Sequence, residues 1–226
     1  MQPDFSRPVL AVDTSTSFLS LALQTADGLF VRHTEAGSRQ SELVLPQIAG
    51  LFAEAGAGAA DLAAVVYAQG PGAFTGLRIG LGVAQGLAAP FGVPLVGVPC
   101  LDAAAYLVRG RGVLAAADAR MGEVFYAWFD TEHRRRLSPY CVGRAAEIAA
   151  PAGVAFSDGI GNAFALPDPP PFAGSPAMPA AADYLRLAQT GDYPACDAAE
   201  ASLLYVRDKI ALTAAEQAAR KASGAA

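Results

Sequence analysis

An aspartate followed by four hydroxyl residues, Asp13-Thr14-Ser15-Thr16-Ser17, is the first segment of this chain that could do chemistry. A carboxylate can hold a cation while hydroxyls and turn amides donate to phosphate oxygens. The same residues also suit a plain polar hairpin turn whose side chains bond their own backbone. A second candidate is the stretch Gly70-Pro71-Gly72-Ala73-Phe74-Thr75-Gly76-Leu77-Arg78-Ile79-Gly80. It falls between a predicted strand and a predicted helix, where free amides at the helix N-terminus suit an anion. The Lys-Ser/Thr pair of a Walker loop is missing. The third candidate is Asp118-Ala119-Arg120 with Glu123, placed in the second half of the chain where Asp13 stands in the first. That repeat invites a cleft with an acid on each wall; a surface turn closed by an ion pair is the simpler reading.

The residues that are missing narrow the chemistry. The two histidines, His33 and His133, belong to no HxxxH, HExxH or Cys/His cluster, so no zinc or iron site is expected. No serine sits in a GxSxG elbow.

The elements that must carry these segments follow from hydrophobic periodicity. Val9 to Asp13, Phe18 to Gln24 and Leu29 to Thr34 read as a three-stranded meander, with Asp27-Gly28 as a hairpin turn. Leu43, Val44, Ile48, Leu51 and Phe52 recur at helical spacing over Ser41 to Ala55; Pro46 must lie in the first turn or kink that helix. Leu62 to Ala68 and Val93 to Val98 are strands, and Phe74 to Ala89 and Leu101 to Val108 are helices. The order βββαβαβα implies a mixed sheet with helices on its faces. Beyond Gly110 the pattern restarts in shorter form: strands at Gly112 to Ala117, Glu123 to Phe129, Arg136 to Val142 and Val154 to Ser157, then a proline-rich loop over Ala165 to Pro179. Helices over Ala180 to Thr190 and around Lys209 to Lys221 close the chain. The expected domains are therefore 1–109 and 110–226.

The second helix is unusual in its glycines. Each costs about 1 kcal/mol relative to Ala, so something must compensate for Gly76, Gly80, Gly82 and Gly86. Spacing by four puts Gly76 with Gly80 and Gly82 with Gly86 on two ridges where another backbone can approach. The apolar residues between them run around the whole circumference, the mark of a helix covered on more than one side. Either the chain buries it entirely, or it forms with the first helix an apolar layer that another molecule covers.

Composition sets the class. Of 226 residues 53% are hydrophobic and 16% charged, enough for a real core and too few charges for a disordered chain. The formal net charge is -5, which argues against a free-standing RNA binder; the one basic run, Arg134-Arg135-Arg136, reads as a solvated turn. Cys100, Cys141 and Cys196 are odd in number and widely spaced, as free thiols of a reducing compartment are. Met1 to Pro8 has no apolar signal core, and no apolar run reaches the roughly 18 residues of a membrane span. A cytoplasmic protein without membrane association is expected.

Together these segments resemble the TsaB (YeaZ) family. The resemblance is carried in order by Leu10 to Ser17, Ser41 to Pro46, Gly70 to Gly80, Gly92 to Pro99, Asp118 to Arg120 with Glu123, and Tyr205-Val206-Arg207. It covers nearly the whole chain, and the Gly70 to Arg78 stretch is its most specific part. It implies an actin-like α/β fold of two RNase-H-like halves with mixed sheets, the second shortened. The implied function is that of a non-catalytic subunit that binds and activates a TsaD-like transferase, in threonylcarbamoyl modification of the tRNA adenosine beside the anticodon. The implied partners are that transferase and a TsaE-like ATPase, with self-association as a homodimer when alone and tRNA contacted mainly through the complex. TsaD-like proteins hold a metal through histidines on the helix after the third strand. Here Ser38 to Val44 has none, so neither that metal nor the peptidase activity of the glycoprotease-like label carries over. The partner interface is expected at Leu43, Ile48, Leu51, Phe74, Gly76, Leu77, Gly80 and Leu81.

The resemblance also implies a degenerate nucleotide cleft. Asp13, Thr14, Ser15, Gly70 and Gly72 would be its remnants on one wall, and Asp118, Arg120 and Gly159 on the other, Gly159 within Asp158-Gly159-Ile160-Gly161-Asn162. On this reading the chain requires no cofactor, and ATP and Mg act at the level of the complex. The competing reading is an actin-like ATPase or phosphotransferase using Asp13, Thr14 and Asp118 around Mg-ATP; a metallopeptidase is a third.

Overall fold

The computed structural model describes residues 3–207; the helix expected around Lys209 to Lys221 lies outside them. Strands β1 (Val9–Asp13), β2 (Phe18–Thr25) and β3 (Gly28–Glu35) form the antiparallel meander. The β2–β3 turn is made by Ala26 and Asp27, and Gly28 opens β3 opposite Thr25 with φ +147°. Helix α1 (Gln40–Ala55), strand β4 (Ala64–Gly70), helix α2 (Phe74–Ala88), strand β5 (Leu95–Pro99) and helix α3 (Cys100–Ala105) follow in the expected order. Strand β4 runs parallel to β1 and to β5.

Alternation along β1 builds two cores, because successive strand residues face opposite sides. Leu10 and Val12 join Leu19, Leu21, Leu23 and Val65 beneath Val44, Ile48, Leu51 and Ala84 of α1 and α2. Each fully buried Leu contributes about 1.5–3 kcal/mol. Val9 and Ala11 face the other way, with Ala22, Val66 and Val98. Pro46 stands in the second turn of α1 on its exposed side, where water can solvate the Glu42 carbonyl that the proline leaves without an amide partner.

The second sheet joins β6 (Val113–Asp118), β7 (Glu123–Asp130), β8 (Arg135–Arg136), β9 (Cys141–Arg144) and β10 (Asp158–Ile160). Strand β6 pairs antiparallel with β7 and parallel with β10, so this sheet is mixed as well. The single strand expected over Arg136 to Val142 is two pieces, β8 and β9, both on the same edge of β7. Pro139 has no amide to give the ladder. At the break Trp128 N donates to the Ser138 hydroxyl (3.0 Å), which replaces a carbonyl. The strand expected at Val154 to Ser157 begins instead at Asp158.

The last two described elements leave the second sheet. Helix α4 (Ala181–Ala188) has Ala181, Tyr184, Leu185 and Ala188 on one apolar stripe. That stripe packs on the small-residue face of the first sheet. Strand β11 (Ala195–Cys196) adds antiparallel to β5. A division at Gly110 assigns both to the second half; here they complete the first, whose strand order is β11-β5-β4-β1-β2-β3. No helix among the described residues is long and apolar enough to cross a membrane.

Candidate functional site

The three candidate segments converge on one cleft of about 800 Å³ between the halves. Ser15 to Ser17 and Pro71 to Leu77 line one wall, Asp118 to Arg120, Phe125 and Asn162 the other, and Leu204 to Arg207 an edge.

On the first wall the aspartate and hydroxyl residues are locked against α2. Asp13 is 2% exposed, and its carboxylate accepts from Ser15 N (2.8 Å). Burial pushes that carboxyl up to about 6, against hydrogen bonds to Ser15 that pull the other way. The Thr14 hydroxyl donates to Gly76 O (2.7 Å), and Ala73 N donates to Ser15 O (2.8 Å). A Cβ on Gly76 would lie 2.0 Å from Thr14 O, and one on Gly80 2.4 Å from Thr14 Oγ1. The first glycine ridge therefore serves the chain's own β1–β2 loop. The second ridge differs: a Cβ on Gly82 or Gly86 meets nothing within 4 Å.

The second wall repeats the device. The Asp118 carboxylate accepts from Arg120 N (2.7 Å), as Asp13 does from Ser15. Asp118 N donates to the Asn162 side-chain oxygen (2.8 Å). Arg120 and Met121 take left-handed backbone conformations, φ 64° and 59°, to turn the hairpin. Arg207 reaches this wall, donating to Ala119 O (3.3 Å) and pairing with Glu123.

Several expected site residues are placed elsewhere. Gly70 is buried, with Leu204 O 3.0 Å from where its Cβ would be. Gly159 packs under Phe164 and Ala173 and lines no part of the cleft. Ser15, Gly72, Asp118 and Arg120 do line it, with Asp13 and Thr14 beneath the first wall. The interface expectation needs the larger correction. Ile48, Leu51, Gly76, Leu77 and Gly80 are all buried within the chain, because the inner stripes of α1 and α2 face their own sheet and the β1–β2 loop. Leu43 and Leu81 are partly buried, and Phe74 is 40% exposed. The exposed side of the two helices carries Leu45 (55% exposed), Phe74, Gly82 and Gly86.

Three contributors were not legible as site residues. Gln40 is 4% exposed, and its amide donates to Thr16 O (2.7 Å) and Phe18 O (3.1 Å), pinning the β1–β2 loop. In the sequence Asn162 is no more than the end of a glycine stretch. Tyr184 comes from α4 to lie beside Asp13 and Cys100, whose buried thiol is pushed up to about 12. A polar residue opening an amphipathic helix was the only available signal for Gln40. Among the described residues no group of three or more His, Cys, Asp or Glu stands together as metal ligands.

The strand order and the facing acid turns define the class: an α/β protein of two mixed sheets whose cleft is walled by the β1–β2 and β6–β7 turns. The comparisons agree in detail. A family model described as TsaD, tRNA N6-adenosine threonylcarbamoyltransferase, matches residues 31–214. The solved structure of YeaZ from Pseudomonas aeruginosa is similar with a TM-score of 0.77 and 30% identity, covering 88% of this chain and 99% of that one. The tRNA threonylcarbamoyladenosine biosynthesis protein TsaB of Escherichia coli (strain K12) is 41% identical over 129 residues, 55% of each chain. An uncharacterized protein of Mycobacterium tuberculosis is 35% identical over 174 residues, 75% of this chain and 81% of its own. The chain belongs to the TsaB/YeaZ family. The match spans about half the length of the first curated relatives.

Proposed function

We propose that this chain is a non-catalytic subunit that docks on and activates a TsaD-like transferase, which with a TsaE-like ATPase places threonylcarbamoyl on the tRNA adenosine beside the anticodon. The observation that carries the reading is the outer side of α1 and α2, where Leu45 and Phe74 are exposed beside Gly82 and Gly86. An exposed glycine pair four residues apart, with open space where side chains would be, suits a partner backbone in close approach. Leu43, Phe74 and Leu81 stay in this proposed interface, and Leu45, Gly82 and Gly86 replace the buried residues.

Transferase chemistry is not carried to this chain, since Ser38 to Val44 offers no histidine. Nor does the cleft fit a nucleotide well. The Thr14 hydroxyl and the Ala73 amide are engaged within the chain, Leu204 covers Gly70, and Gly159 faces Phe164. These engagements support a chain that needs no cofactor of its own, and the free cysteines among the described residues fit a reducing compartment such as the cytoplasm. The net charge of -5 supports a tRNA contact made mainly by the partner.

Calorimetry with the cognate TsaD homologue tests the docking face. Gly86→Trp fills open space and keeps the fold, and it weakens binding at least about 30-fold, the scale of an interface hot spot. Unchanged affinity in a folded Gly86→Trp chain overturns this placement. Reconstitution with TsaD, TsaE, ATP and tRNA, omitting each protein in turn, tests the role itself.

A further inference from the structure

The last described segment runs along the cleft and touches both halves. On the first half, Tyr67 donates its hydroxyl hydrogen to Ser202 O (2.9 Å), and the Gln69 amide reaches the same oxygen (3.3 Å). Leu204 N then donates to Gln69 O (2.9 Å), and Leu204 O lies over Gly70. Gly70 has φ +104°, so a side chain there would be strained as well as crowded. Three residues on, Arg207 crosses to the second half. Its guanidinium donates to Ala119 O (3.3 Å), pairs with the Glu123 carboxylate, and lies 5.9 Å from the Phe125 ring centre. Between these anchors Tyr205 stands against Phe74 at the start of α2, ring centres 6.1 Å apart.

The asymmetry of the two anchorages is what matters. The Ser202–Leu204 end is held by hydrogen bonds to the end of β4, in the interior of the first sheet. The Arg207 end is held by one part-exposed ion pair and one carbonyl, with side chains 22% and 40% exposed for Arg207 and Glu123. Outside the cleft lining, Asp102 of α3 also joins elements of both sheets, accepting from Tyr140 (2.5 Å) and Tyr193 (3.1 Å). That carboxylate is largely buried, and such a contact opens less readily than a wet ion pair.

We propose that residues 202–207 are a strap that sets the opening of the cleft, with Arg207 on Glu123 as its latch. When the latch releases, the β6–β7 turn loses its tie to the first half, and the two walls can swing apart about their remaining connections. Because Tyr205 abuts Phe74, the strap also gives the outer face of α2 a physical route to the cleft. The inference concerns the isolated chain and does not depend on the partner reading above.

Pulsed electron resonance on the full chain tests it. Nitroxides are placed at Glu42→Cys on α1 and Glu147→Cys in the second half, with Cys141→Ser and Cys196→Ser. The labelled chain is diluted with excess unlabelled chain, so that only intramolecular distances are read. The wild-type strap gives one narrow distance distribution. Arg207→Ala broadens it and raises the long-distance population by up to about fivefold, the most that a part-exposed pair can confer; added salt moves the wild type the same way. Arg32→Ala, which breaks an ion pair with Glu54 inside the first half, is the control and leaves the distribution narrow. A folded Arg207→Ala chain with the wild-type distribution overturns the latch, as does equal broadening in Arg32→Ala. If Arg207→Ala does not fold, Glu123→Gln decides by the same two outcomes.

Discussion

The Thr14 hydroxyl donates to the Gly76 carbonyl at 2.7 Å, and the Thr14 carbonyl fills the place a Gly76 side chain would take. One contact thus joins the two segments that looked most like separate phosphate-binding motifs. Each satisfies the other: the loop after β1 gives its hydroxyl to the helix, and the helix gives up its side chains to let the loop in. Helix dipole and hydroxyls are present, yet they serve mutual packing.

The four glycines of α2 should therefore separate in denaturant unfolding. Gly76→Ala and Gly80→Ala drive a methyl into Thr14 and cost at least about 2 kcal/mol. Gly82→Ala and Gly86→Ala meet open space and gain helix propensity, stabilising by up to about 1 kcal/mol. Equal effects at all four positions would contradict the two-ridge division.

Asp13 should make stability depend on pH in an unusual direction. Burial raises its carboxyl from 3.8 to about 6, so the folded chain holds this proton more tightly than the unfolded chain. Its contribution favours folding fully below about pH 4 and is lost as pH rises through about 6. Asp13→Asn, which cannot ionise, is expected to be more stable than the parent at pH 7 by roughly 2–3 kcal/mol, with the difference shrinking toward pH 4. Urea titrations across that range check it; a difference that does not vary with pH would refute the raised value.

Tyr184 gives the third case. Its hydroxyl is buried beside Asp13, Cys100 and Ser15, near the thiol and the serine hydroxyl but with no partner at hydrogen-bond geometry. Removing an unsatisfied buried hydroxyl relieves a desolvation cost, so Tyr184→Phe should be neutral or stabilising by up to about 1 kcal/mol. Tyr184→Ala leaves a cavity among Ala11, Ala22 and Val66 and costs about 3–5 kcal/mol. A loss above about 1.5 kcal/mol in Tyr184→Phe would mean that the hydroxyl is bonded after all.

By itself the sequence determined the local order. Alternation and helical spacing placed β1 to β5 and α1 to α3 within a few residues, since those periods follow from backbone geometry alone. It also determined the family, because Gly70 to Arg78 combines turn, close-approach and helix residues in a narrow order. What it could not decide was direction. The circumferential apolar pattern of α2 left both glycine ridges equal, and only the approach of Thr14 sent Gly76, Leu77 and Gly80 inward and Gly82 and Gly86 outward. Periodicity marked α4 as a helix but not the sheet it covers; the small Ala face beneath it settled that. Nor could spacing show that Arg207, 84 residues after Glu123, returns to it across the cleft. Local propensity is fixed by neighbours in the chain, whereas burial and pairing depend on neighbours in space, which exist only once the two sheets have closed on each other.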